Sequence, residues 1–325
     1  MNRERTVNRR RTVLSAVLLV ALVAGCTASS GDDDRLSVVT STNVWGDVAA
    51  QVGGDLVDVT SIVAKPAADP HSYEASARDQ LRLSQADLVV VNGGGYDDFA
   101  LTLLDGLETR PPVVDAVTVS GHDGADLNEH VWYDLPTVAA VADQIAADLS
   151  RIDPDHADTY AANAAAFTAE IDTLVSRTQA LAQTVGGQPV AVTEPVPGYL
   201  LDALGLVDQT PPQFAKAVED ETDVPPTVMR DTLALFTDHQ VVLLVYNAQT
   251  TGPQTQQVRT AADAAAIPVV AVTETLPAAQ TYITWMSANL DALAQALGVA
   301  TTAPGAPDTS PPGSSTPGPD PASTP

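Results

Sequence analysis

Cysteine, aromatic residues and positive charge are all scarce in this chain: of 325 residues one is cysteine, 4% are aromatic, and 15 Lys and Arg stand against 41 Asp and Glu. One cysteine rules out an internal disulfide and any CxxC site. The shortage of positive charge makes nucleic acid and anionic lipid head groups poor partners and cations good ones, although a solvated acidic surface accounts for most of the carboxylates whatever the function. HExxH, a Walker loop and a GxSxG elbow are missing too, so catalysis would have to be assembled from scattered residues. The apolar stretch VLSAVLLVALVAG at 13–25 falls short of the roughly 20 residues that cross a bilayer as a helix.

What is present begins with that stretch. Basic RERTVNRRR precedes it and Cys26 follows, the order of an export signal. Val23, Ala24 and Gly25 before Cys26 resemble the bacterial lipoprotein box, in which the cysteine takes a lipid on its sulfur and becomes the new N-terminus. Lipidation explains a lone thiol in an exported, oxidising setting. Arg10 and Arg11 also resemble a twin-arginine signal, so the general and the twin-arginine export routes both stay open. Residues 1–25 hold five of the basic and one of the acidic residues, which leaves 10 basic and 40 acidic and a formal net charge of −30.

The rest divides by composition. Residues 26–35 form a small polar tether, 36–152 a first lobe, 153–187 a linker helix, 188–298 a second lobe, and 299–325 a Pro/Ser/Thr-rich tail without apolar periodicity that is expected to be disordered. In the first lobe LSVVTS, LVDVTSIV and DLVVVNGGG alternate with helical NVWGDVAAQV, EASARDQLRLSQA and YDDFALTLLDGL. In the second, PVAVTE, QVVLLVYN and PVVAVTE alternate with PGYLLDALGL, VPPTVMRDTLALFTDH, TQQVRTAADAAA and ITWMSANLDALAQALG. Continuous apolar runs between helical periods predict parallel strands covered on both faces, hence two parallel-sheet α/β lobes. Tyr160, Phe167, Ile171, Leu174 and Leu181 at helical spacing, closed by a Gly pair, predict one helix of about 30 residues, about 45 Å long. Such a rod runs the length of both lobes and limits how far they swing. The GGG at 93–95 lacks the spacing of a dinucleotide loop and reads as a turn.

Five histidines are candidates for chemistry. His156 and His239 sit at element boundaries among polar residues and read as solvated, and His122 lies in the polar GHDGAD loop. His71, in DPHSYE, follows a strand at the mouth of a helix, and His130, in LNEHVWYDLP, opens the next helix. Taken alone, each suits a structural histidine as well as a ligand.

The set carries the case. VAVTE occurs at 190–194 and again at 270–274, so Glu194 and Glu274 each follow an apolar strand directly, where carboxyl ends of parallel strands open into the crevice of α/β sheets. As isolated residues, both could instead cap the following segment. Two neutral imidazoles and two carboxylates sum to −2, so a divalent cation held by His71, His130, Glu194 and Glu274 makes a neutral unit that can be buried.

VVTS at 38–41, GGD at 53–55, DPHSYE at 69–74, EHVW at 129–132 and YAANAAAF at 160–167 resemble the metal-binding lipoproteins of bacterial ABC importers for zinc, manganese or iron, the ZnuA and TroA type. That resemblance implies two α/β lobes bridged by a rigid helix, with the metal cleft between them. It also implies a non-enzymatic, monomeric protein, lipid-anchored to the outer face of the cell membrane, that captures a divalent metal and hands it to an ABC importer permease in the cytoplasmic membrane. The family's ligand positions fall on His71, His130, Glu194 and Glu274. Glutamate at the third position leans toward Mn²⁺ or Fe²⁺, with Zn²⁺ a close competitor because the same donors bind zinc more tightly in vitro. Glu274 stands where an aspartate is usual, and Asn247 where a glutamate is common. A surface adhesin and a metallohydrolase are the alternatives. Four protein ligands at a tetrahedral ion leave no open position for a catalytic water.

Overall fold

Each continuous apolar run of the two lobes becomes a strand, and the computed structural model, which describes residues 35–65, 73–124 and 127–299, arranges the strands in two sheets of four. The first lobe runs β1 (Leu36–Thr42), α1 (Asn43–Gly53), β2 (Val57–Val63), α2 (Ala77–Ser84), β3 (Leu88–Val91), α3 (Asp98–Asp105), β4 (Val113–Asp115) and α4 (Ala116–Ser120). Two helices follow, α5 (Leu135–Ile152) and α6 (Ala157–Val185). The second lobe runs β5 (Pro189–Val192), α7 (Gly198–Ala203), β6 (Val207–Asp208), α8 (Pro212–Glu219), α9 (Pro226–Thr237), β7 (Leu244–Asn247), α10 (Pro253–Ala264), β8 (Val269–Val272) and α11 (Tyr282–Ala296). The expected export signal, Cys26, the tether up to residue 34, His71 and the tail from residue 300 lie outside the described residues.

Both sheets are parallel, in the orders β2-β1-β3-β4 and β6-β5-β7-β8. All four residues of β3 are buried, as a strand covered by helices on both faces requires, and each such side chain contributes about 1.5–3 kcal/mol on burial. In each sheet the strand order reverses beside the first strand, which opens a crevice at the carboxyl ends of β1 and β3 in one lobe and of β5 and β7 in the other. Residues on the loops at this end of the two sheets are therefore the ones placed to meet a ligand.

The expectations from sequence contained no strand at 113–115 or 207–208 and no helix at 116–120 or 212–219. Strands of three and two residues carry too little alternation to show a period. The helix at 212–219 is two turns long, and only Phe214, Ala217 and Val218 mark its buried face.

The long helix expected at 153–187 is α6, preceded by a single 3₁₀ turn at Pro154–His156. It does not act alone. One hydrophobic core runs without a break from Val38 and Trp45 through Ile145, Tyr160 and Phe167 to Val192, Val245 and Leu290, so both lobes share it. Helix α11 crosses back: the Tyr282 backbone N–H donates to Asp47, and Arg177 of α6 donates to Ser287 and pairs with Asp291. Asn43 and Leu276 exchange two hydrogen bonds, side chain to backbone in both directions. Opening the cleft widely would tear this core, whereas a small adjustment would not.

Candidate metal centre

Glu194 and Glu274 each stand two residues past a strand, β5 and β8, and both side chains turn inward, leaving the residues 4% and 3% exposed. Neither caps a helix. The N-cap of α7 is Pro197 and that of α11 is Thr281. The capping alternative for these two carboxylates is thereby removed, and a buried carboxylate needs another reason to be there.

His130 is wholly buried at the start of a 3₁₀ turn, Val131–Tyr133, that leads into α5. Its ring is packed by Trp132 and Tyr96, with centroids 5.0 and 5.8 Å away, which fixes its plane. Its tautomer is fixed as well. The Asn128 amide nitrogen donates to the Pro195 carbonyl at 2.9 Å, so its oxygen must face the other way, where it accepts the His130 backbone N–H at 3.1 Å and lies 2.7 Å from Nδ1. Nδ1 therefore carries the proton and Nε2 presents its lone pair to the cleft, the form a metal takes. Tyr199 donates to the Asn128 carbonyl at 2.8 Å, and Gly198 leaves room for the Asn128 amide: a Cβ there would come within 2.8 Å of its nitrogen.

Glu274 is held at both oxygens. Asn247 donates to Oε1 at 2.7 Å, and the Tyr96 hydroxyl donates to Oε2 at 3.1 Å from the other lobe. A neutral amide at the end of β7 thus supports a carboxylate where a second acid would repel it, which accounts for Asn247 at this position. Tyr96 gets its reach from the glycine turn: Gly93, Gly94 and Gly95 have φ of 78°, 68° and 97°, a conformation costly for any residue with a Cβ. Buried Asp97 closes that turn by accepting the backbone N–H groups of Asn92 at 2.6 Å and Gly93 at 2.8 Å.

A third acid joins them that follows no strand. Glu219, the last residue of α8, points its Oε1 at Nε2 of His130 at 3.5 Å. Burial, then the charges of Glu129, Glu194 and Glu274, push its carboxyl up to about 9. Glu129, His130 and Glu219 each offer a ligand atom within 4.8 Å of the other two. That grouping does not include Glu194 or Glu274, although the charges of both help to raise the Glu219 carboxyl. Sequence signals for Glu219 were weak, since the run Glu219-Asp220-Glu221 at a helix end reads as a solvated charge cluster.

The other histidines stand apart. His122 is half-exposed, stacked on Tyr199 at 4.8 Å and 3.1 Å from Asp134, while His156 lies 2.7 Å from Asp153 and His239 is exposed at φ 52°. Among the described residues no helix is long and apolar enough to cross a membrane.

Two parallel-sheet lobes on a shared core, with a long helix along both and buried polar groups between the strand ends, define a two-lobed α/β binding protein. The chain belongs to the ZnuA family, the periplasmic component A of the zinc-uptake complex, which matches residues 38–296. It is 28% identical over 242 residues to the manganese-binding lipoprotein MntA of Halalkalibacterium halodurans, covering 67% of this chain and 80% of that one. It is 29% identical over 182 residues to the iron ABC transporter substrate-binding lipoprotein MtsA of Streptococcus pyogenes, a match that spans 51% of this chain and 58% of the relative. In fold it resembles the periplasmic zinc-binding protein TroA of Treponema pallidum, with a TM-score of 0.69 at 19% identity over 81% of this chain and 99% of that one.

Proposed function

We propose that this protein captures a divalent transition metal outside the cytoplasm, between its lobes, and presents it to the permease of an ABC importer. The observation that supports the reading is that His130 of one lobe faces Glu219 of the other at 3.5 Å, while Tyr96, packed on His130, reaches Glu274 across the lobes. His130, Glu194 and Glu274 act as ligands, His71 completes the set from its place in DPHSYE, and Cys26 carries the lipid anchor. The chain acts as a carrier rather than an enzyme.

Relatives in sequence are named for manganese and iron and a relative in fold for zinc, so the cargo is a first-row divalent metal, and the oxygen-rich donor set favours Mn²⁺ or Fe²⁺. Zinc competes because affinity for a fixed set of donors rises toward the end of that row. Metal analysis of protein isolated from its native host tests the choice, with manganese or iron expected and zinc alone overturning it. Titration tests the capture itself. A metal at 100 times its dissociation constant should stabilise the fold by about 2.7 kcal/mol, and no stabilisation by any of the three metals would sink the reading.

A further inference from the structure

We propose that Glu219 is itself a ligand of the transported cation, paired with His130, and that its added oxygen sets the preference of the site for Mn²⁺ or Fe²⁺ relative to Zn²⁺. The inference rests on the capture function above and names a determinant of its selectivity.

The His130 Nε2 to Glu219 Oε1 distance is 3.5 Å. A charge-assisted N–H···O⁻ bond would draw the two atoms to about 2.7–2.9 Å. Two donors each about 2.1 Å from one cation lie about 3.0 Å from each other at a right angle and about 3.4 Å at a tetrahedral one, in both cases farther apart than a proton would hold them. The spacing therefore suits a shared metal ion better than a shared proton. Asn128 has already assigned the proton to Nδ1, so the Nε2 side of the ring faces the Glu219 carboxyl.

Local rules are broken at Glu219 in three ways that one cation resolves together. The residue closes α8, where the helix dipole disfavours an acid. Its side chain is only 14% exposed, which a carboxylate avoids. It also lies within reach of the charges on Glu129, Glu194 and Glu274. Helix α8 is held in that position by Phe214, Ala217 and Val218 in the core of the second lobe, so Glu219 does not swing out freely.

Selectivity follows from coordination number. A tetrahedral zinc ion is complete with four donors and gains little from a further one, whereas Mn²⁺ takes about six ligands and favours oxygen.

Titration of the metal-free protein with Mn²⁺ and Zn²⁺, against a competing chelator, tests the assignment. Glu219→Gln should weaken Mn²⁺ binding by at least about tenfold and Zn²⁺ binding by less than about threefold, while Glu221→Gln, exposed two residues further on, changes neither. Equal weakening of both metals marks a structural role and overturns the proposal, as does no change in either. Binding of neither metal by the unsubstituted protein overturns the capture function, and this inference with it. If Glu219→Gln does not fold, Glu219→Asp keeps the charge on a shorter arm; it should lower the Mn²⁺ to Zn²⁺ affinity ratio, and an unchanged ratio overturns the proposal.

Discussion

Tyr96 donates its hydroxyl hydrogen to Oε2 of Glu274 over 3.1 Å, across 178 positions of sequence and from one lobe to the other. The bond ties the glycine turn beyond β3 to the exit of β8. It also leaves the carboxylate a fixed orientation before any cation arrives, which lowers the reorganisation that binding would otherwise require.

Replacing this tyrosine by phenylalanine keeps the ring packing against Trp132 and removes only the bond. Tyr96→Phe should weaken metal binding roughly 10-fold and lower the stability of the metal-free protein by about 1 kcal/mol. Calorimetric titration and urea unfolding read the two effects. An unchanged affinity would mean that Glu274 needs no support from the first lobe.

Asn128 should matter as much as a ligand does, although it faces His130 and not the cleft. Asn128→Ala removes the acceptor that holds the proton on Nδ1, together with the tie to Pro195. Metal affinity should drop about 10–100-fold with the fold intact. The His130 ring nitrogens should then show a mixture of tautomers by NMR. A single Nδ1–H form in the variant would contradict the assigned role.

Asn247 donates to Glu274 at 2.7 Å, and an acid there would turn attraction into repulsion. Asn247→Asp should cost the metal-free protein about 1–3 kcal/mol at neutral pH, and saturating metal should restore part of that loss. Thermal unfolding with and without Mn²⁺ measures both. Equal stability of the variant and the parent without metal would remove the charge argument.

Asp79 sets a pH dependence of its own. Burial pushes its carboxyl up, but hydrogen bonds from the Ser76 hydroxyl, the Ser76 N–H and Tyr73, together with the charge of Arg82, outweigh burial and hold it below the usual range. A carboxyl lowered in the folded state adds stability that is present above its unfolded pKa of about 3.9 and is lost as pH falls through the folded value. Ser76→Ala should therefore cost about 1 kcal/mol at pH 7, and the difference should shrink below about pH 4. A difference that stays constant with pH would show that the cap does not act through the Asp79 charge.

Much of this architecture was written locally. LVVV and PVAV are apolar on both faces, so strands buried between helices satisfy them, VVAV forms an edge of its sheet, and the 29 residues of α6 carry their own periodicity. Glu194 and Glu274 could be singled out because each follows such a strand. Tyr96, Asn128 and Asn247 could not be given roles, because each acts on a residue distant in sequence. Glu219 left only a faint trace, since a glutamate beside two further acids at a helix end looks like solvated surface.

Residue order alone determined the strands, the bridging helix, the scarcity of positive charge and the two glutamates at strand exits, because those follow from hydrophobic period and local chemistry. Tertiary structure alone decided which nitrogen of His130 faces inward, what steadies Glu274, and that Glu219 lies against His130. Those outcomes depend on distances between separate lobes, and such distances are set by how β5, α8 and α11 dock on a common core rather than by any neighbouring residue.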